Sequence, residues 1–95
     1  MTVTADHPVL DRSLALHPQV ALRPEPFGAL AYHYDTRRLV FLKHVDLVRV
    51  VETLDAHDTV GAALTACGIA PERHAAFAAA LASLLDSEML RDRAR

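Results

Sequence analysis

The residues best able to do chemistry in this sequence are its six histidines, at positions 7, 17, 33, 44, 57 and 74, and its single cysteine, Cys67. A structural or catalytic metal needs several imidazoles, thiolates or carboxylates converging on one point, commonly from a pair of ligands one helical turn apart. No two of these histidines have that spacing. They read as structural or solvent-facing side chains. Four thiolates normally hold an iron–sulfur cluster, so one cysteine cannot supply such a cluster from this chain. Ser13 and Ser83 lie in no nucleophile motif, and with three glycines in the whole chain there is no glycine-rich phosphate loop.

His57-Asp58 is a dipeptide that metal-dependent phosphohydrolases use, but their sites draw further ligands from several long helices, and Asp58 has a simpler use as a helix cap. Neither catalysis nor a cofactor is expected. The cations offer a different chemistry. Arg37, Arg38 and Lys43 bracket one apolar run, with Arg49 and Arg73 as candidate neighbours, so an acidic segment could be steered to that edge; a solvated rim explains the same residues equally well. The terminal RDRAR reads as a frayed helix end whose cations suit the negative pole of a helix dipole.

The elements that would position these residues follow from the apolar pattern. Residues 1–18, broken by Pro8 and Pro18, read as a flexible amino-terminal arm with at most a turn of helix around Leu10 to Leu16. Val20 and Leu22 alternate with Ala21 and Arg23 before Pro24 and Pro26, which predicts a first strand near 19–23 with Gly28 at the bend. ALAYHY at 29–34 and RLVFLK at 38–43 flank the turn residues Asp35-Thr36-Arg37, a hairpin signal. In the last run Leu39 and Phe41 face one way and Val40 and Leu42 the other, so both sides of that strand are apolar and the outer one wants a cover.

Helices follow. Leu47, Val48, Val51 and Leu54 recur at helical spacing over 45–55. Asp58 or Thr59 can cap a second helix with its body at 60–67, and Gly68 suits its end. Pro71 and Glu72 suit the first turn of a third, with Phe77, Leu81, Leu84 and Leu85 as its apolar stripe. The alanines at 75, 76, 78, 79, 80 and 82 leave this helix with little bulk, so another backbone can approach it closely. The fold class expected is α+β: a small three-stranded antiparallel sheet followed by three helices. The division is 1–18 arm, 19–92 domain and 93–95 frayed end.

The chain has 95 residues, 52% hydrophobic and 23% charged, enough for one domain with a modest core. Its formal net charge of -2 gives no basic surplus to attract phosphates, which disfavours nucleic acid as a partner. No stretch approaches the roughly 20 apolar residues that span a bilayer, so no membrane partner is expected. A lone cysteine and a start without the pattern of a secretory signal point to the cytoplasm.

RPEPFGALAYHYDTRRLVFLK, the helix HVDLVRVVETL and the late helix PERHAAFAAALASLL together resemble the peptide chaperones of mycofactocin biosynthesis, over about Val20 to Arg91. That family is similar to the pyrroloquinoline-quinone peptide chaperones and to other precursor-recognition domains with a winged-helix-like fold. The resemblance implies an adaptor, not an enzyme. In the wider family the leader of a precursor peptide adds to the third strand, lies against the third helix, and is passed to a radical S-adenosylmethionine maturase. Carried over, the pairing edge would be Arg38, Leu39, Val40, Phe41, Leu42 and Lys43. The facing wall would be Arg73, Ala76, Phe77, Ala80 and Leu84. For Leu81 and Leu85 plain core packing is the simpler role, while Phe77 suits either surface.

Three other uses compete. A winged-helix DNA binder needs outward Arg, Lys, Asn or Gln on its recognition helix, whereas 72–85 is mainly alanine with Arg73 as its only basic residue. A purely structural subunit of a larger enzyme would use the apolar outer face equally well. A homodimer through the exposed edge would compete with peptide addition.

Overall fold

The computed structural model describes residues 8–93. Five strands and three α-helices follow one another: β1 (Leu14–Leu16), β2 (Val20–Glu25), β3 (Gly28–His33), β4 (Leu39–Leu42), α1 (Val45–Thr53), α2 (Val60–Ala66), α3 (His74–Asp86) and β5 (Leu90–Asp92), with short 3-10 turns at Pro8–Asp11, Leu54–Ala56 and Pro71–Arg73. The α+β expectation holds. β2, β3 and β4 form an antiparallel sheet in that order, and the three helices follow it.

The sheet register settles which residues face where. Ala31 lies opposite both Leu22 and Val40, and Ala29 opposite Leu42, so these side chains share the inner face. Leu30 opposite Phe41 and Tyr32 opposite Leu39 share the outer one. Gly28 is not a bend residue. It is paired with Glu25 at the start of β3, and the turn is Pro26-Phe27. A Cβ on Gly28 would stand 1.8 Å from the Leu42 carbonyl oxygen, so only glycine lets β3 come this close to β4.

Pro24 does not end β2, which runs on to Glu25. The Tyr34 N–H donates to the Gln19 carbonyl, so the alternation of an antiparallel ladder turns the backbone of Val20, Leu22 and Pro24 away from β3, to the free edge. A missing N–H there removes no ladder bond. The β3–β4 turn is the expected one, with Arg37 left-handed at φ 66 and its N–H donating to the His33 carbonyl. The buried His33 ring secures the turn: its Nδ1 accepts from the N–H groups of Asp35 and Thr36.

The inner face packs on α1, whose Val50 and Val51 are buried together with Leu54 just beyond it, and the core continues through Val60, Leu64, Phe77, Ala78 and Leu81. Leu81 has the core role expected of it, and Leu85 packs half-buried against the same cluster. Of the two candidate caps for α2, Thr59 is the one used, its Oγ1 accepting from the Ala62 N–H at 3.1 Å. Gly68 at φ 78 ends that helix, with Gly68 N–H on Thr65 O and Ile69 N–H on Leu64 O. The end of α3 repeats this closure with a glutamate: Glu88 has φ 66, and the N–H groups of Glu88 and Met89 donate to Leu85 O and Leu84 O. His44 caps α1 without a side-chain hydrogen bond.

The amino-terminal segment departs from expectation. Residues 1–7 lie outside those described, but 8–16 are part of the fold rather than a mobile arm. β1 pairs antiparallel with β5, Leu14 opposite Asp92 and Leu16 opposite Leu90, while Val9 and Leu14 are buried. The carboxy-terminal side is likewise a strand, not a frayed helix end. The Arg93 N–H donates to Ser13 O, and its guanidinium to the carbonyls of Asp55 and His57. Residues 94 and 95 lie outside the described part. Burial of four apolar side chains, Val9, Leu14, Met89 and Leu90, supplies what a tail of polar sequence would lack.

Candidate functional site

Among the described residues no group of three His, Cys, Asp or Glu side chains could hold a metal ion. His33, the one buried histidine among the described residues, is engaged in the β3–β4 turn. The features with the shape of a site are instead two depressions along α3, one near each end of β4.

β4 is the last strand of its sheet. The His33 N–H donates to the Arg38 carbonyl at 2.9 Å. In an antiparallel ladder a residue's N–H and C=O point the same way and alternate along the strand. Val40 and Leu42 therefore bond to β3, while the N–H and C=O of Leu39 and Phe41 point out from the free edge. No proline interrupts this edge, unlike that of β2, and Arg38 and Lys43 stand exposed at its ends.

α3 runs antiparallel to β4, its start near the end of the strand and its end near the strand's start, as two separate depressions show. At the end of β4 a depression of about 230 Å³ is lined by His44, Leu47, Arg73, Ala76, Phe77 and Ala80. At its start a smaller one of about 140 Å³ is lined by Thr36, Arg38, Asp86, Ser87 and Glu88. The first is apolar at its base and polar at its lip. Ala76 and Ala80, one turn apart, leave the depth; Phe77, 7% exposed, forms the floor while also packing into the core. It thus touches both the depression and the core.

The lip is organised around that ring. The Arg73 guanidinium lies 5.1 Å from the Phe77 centroid and 3.6 Å from Asp46 Oδ2, and the His44 ring is 6.5 Å from Phe77. With Arg73 nearly half exposed, the ion pair contributes little stability, about 0–1 kcal/mol; what it fixes is where a cation stands at the mouth. An engineered apolar cavity of roughly 150 Å³ holds a benzene molecule, so this depression has room for an aromatic or branched side chain.

The candidate residues thus separate by position. Leu39 and Phe41 lie exposed on the outer face of β4, Val40 and Leu42 on the inner one, and Leu42 and Leu84 are buried in the core. Arg73, Ala76, Phe77 and Ala80 gather in the larger depression, and Arg38 stands in the smaller. His44 and Leu47 were not anticipated there. The signal existed: two residues join β4 to α1, so the first turn of that helix must lie beside the strand's end.

The model of the peptide chaperone MftB family matches residues 13–91. The chain is 50% identical over 80 residues to the peptide chaperone MftB of Mycolicibacterium smegmatis, an alignment covering 84% of this chain and 78% of that protein. It is 45% identical over 80 residues to the peptide chaperone MftB of Mycobacterium tuberculosis, covering 84% and 73% respectively. No solved structure is significantly similar.

Proposed function

The chain belongs to the peptide chaperone MftB family, and from that premise we propose that it binds the leader of a precursor peptide in mycofactocin biosynthesis by strand addition to β4. It then presents the bound peptide to a radical S-adenosylmethionine maturase. In this reading the chain itself performs no covalent chemistry, and its contribution is to hold an extended peptide in one register.

The observation that carries the reading is a strand edge that is unpaired among the described residues and free of proline, with an apolar depression on α3 near its end. An added strand satisfies the outward N–H and C=O groups of Leu39 and Phe41, and pockets beside the strand select its side chains. Magnitudes assign the two parts different jobs. Four such hydrogen bonds contribute about 2–6 kcal/mol at roughly 0.5–1.5 each, against an association cost of about 4–15 kcal/mol. Backbone pairing alone would not hold the peptide. An inward apolar side chain seated over Phe77 adds about 1.5–3 kcal/mol, so the trench decides both whether a peptide stays and which one.

The test is calorimetric titration of the protein with the precursor peptide, with no enzyme present. Saturable one-to-one binding that Phe41→Asp or Phe77→Asp weakens, in variants whose circular dichroism shows them folded, supports the adaptor. No binding by the native protein at high peptide concentration makes it a structural subunit of a larger enzyme instead.

A further inference from the structure

The outer face of the three-stranded sheet is apolar and open. Leu39 is 60% exposed, Tyr34 59%, Phe27 49% and Phe41 45%. A shallow depression of about 320 Å³ crosses the three strands, lined by Ala21, Arg23, Leu30, Tyr32, Tyr34 and Leu39. Scattered exposed apolar residues are ordinary, but a contiguous patch of this kind marks an interaction surface. Its rings are already packed edge to face, Phe27 on Phe41 and Tyr32 on Tyr34, each pair with centroids 5.1 Å apart, so covering them costs little side-chain freedom.

The register arranges this face in rows. Ala21, Tyr32 and Leu39 stand side by side, as do Arg23, Leu30 and Phe41. Glu25 lies beside Gly28 in the last row, and Lys43, one residue past β4, continues the outward alternation of Leu39 and Phe41 into it. The two ends of each row differ in a matching way: a small side chain on β2 and a large one on β4, then a guanidinium and a ring, then an acid and a base. β2 and β4 run in the same direction, each being antiparallel to the β3 between them. A two-fold axis parallel to the strands and above β3 therefore lays β2 of one copy over β4 of another with every row kept. Ala21 then faces Leu39, Arg23 faces Phe41 and Glu25 faces Lys43, and each contact occurs twice. Small meets large, a cation meets an aromatic ring, and opposite charges meet. A two-fold axis across the strands through the middle row would set Arg23 against Arg23 instead. The face thus carries the complement of its own charges, with Glu25 and Asp35 beside Arg23, Arg37 and Lys43.

We propose that the outer face of β2, β3 and β4 packs on the same face of a second copy of this chain, as a sandwich of two sheets about 10 Å apart with strands aligned to within about 30°. The area sets the strength of this dimer. The exposed halves of Phe27, Tyr34, Leu39 and Phe41 amount to about 300–400 Å² per copy, given that a whole aromatic side chain buries about 150–250 Å². A stable interface takes about 800 Å² per partner, so the dimer is a weak one, populated at high protein concentration. It does not depend on the adaptor reading, and it is compatible with it. A dimer through the edge of β4 would occupy the backbone groups that an added strand needs, whereas the face-to-face dimer leaves them free. The two β4 edges then lie on opposite sides of the sandwich.

The test is sedimentation equilibrium of the full chain from micromolar to millimolar concentration, with circular dichroism to confirm that each variant is folded. The expected result is an apparent mass that rises from one chain towards two. Glu25→Lys and Lys43→Glu should each weaken the association about tenfold, because the symmetry makes every reversal count twice, and the two reversals in one chain should restore it to within threefold of the native protein. A single-chain mass at every concentration overturns the proposal. So does a dimer that Lys43→Glu weakens and the combined exchange fails to restore, which would place the contact on the edge of β4. Ala21→Arg sets a long side chain against Leu39 of the other copy without touching the Glu25–Lys43 contact, and it should weaken the association as well. Native-like association by folded Ala21→Arg overturns the proposed packing even where a charge variant does not fold.

Discussion

Filling the trench tests the account where its arithmetic is sharpest. Ala80 is half-buried on α3 and lines the depression of about 230 Å³ with Ala76 and Phe77. Ala80→Leu places an isobutyl group in space that the bound peptide's anchoring side chain would otherwise occupy. Leucine is a strong helix former and the site is open to solvent, so the helix itself loses only a few tenths of a kcal/mol. The peptide loses the burial of one apolar side chain, about 1.5–3 kcal/mol, which at tenfold per 1.4 kcal/mol is a rise in Kd of about 10- to 150-fold. Ala79→Leu is the matched control, because Ala79 is exposed and does not line the trench. Calorimetric titration of both variants with the precursor peptide reads the difference directly. Equal affinities for native, Ala79→Leu and Ala80→Leu proteins would refute the trench as the seat of an anchor.

Three stability predictions follow from the fold. Gly28→Ala drives a methyl group into the Leu42 carbonyl; an overpacked site of this kind costs about 1–3 kcal/mol or more, and urea denaturation should show at least that loss. Leu14→Ala, at a position 1% exposed in a segment that sequence alone reads as an arm, should cost about 2–5 kcal/mol; an unchanged melting temperature would mean that the β1–β5 ribbon is not part of the cooperative unit. Glu88→Gly should do the reverse. A left-handed residue at φ 66 carries a strain of roughly 1–2 kcal/mol, part of which glycine relieves, so Tm should rise by a few degrees in a calorimetric scan.

The sheet and helices were legible because each has a local signature. Asp35-Thr36-Arg37 separates two β-prone runs, and that is where the hairpin turns; Thr59 and Gly68 bracket α2. The double-sided apolar character of Leu39 to Leu42 was also readable, and it locates both the core contact and the open outer face. What escaped is what depends on distant pairing. β1 and β5 are three residues each, too short for any period to show, and each is a strand only because the other lies beside it. Pro24 read as a stop because the sequence does not say on which side of β2 its missing N–H would fall. Glu88 carries no mark of a left-handed conformation; the hydrogen bonds closing α3 impose it. Of the trench, Arg73, Ala76, Phe77 and Ala80 came from the resemblance to a known family. His44 and Leu47 follow only once α1 is placed beside β4.

The central claim is that a peptide adds as a strand to the edge of β4, and amide hydrogen exchange tests it most directly. In the free protein the ladder alternation leaves the N–H groups of Leu39 and Phe41 on the open edge, while those of Val40 and Leu42 bond to β3. With saturating precursor peptide and no enzyme, the account predicts strong new protection at Leu39 and Phe41 together with little change at Val40 and Leu42. Binding that leaves Leu39 and Phe41 exchanging as fast as before would place the peptide elsewhere and contradict strand addition.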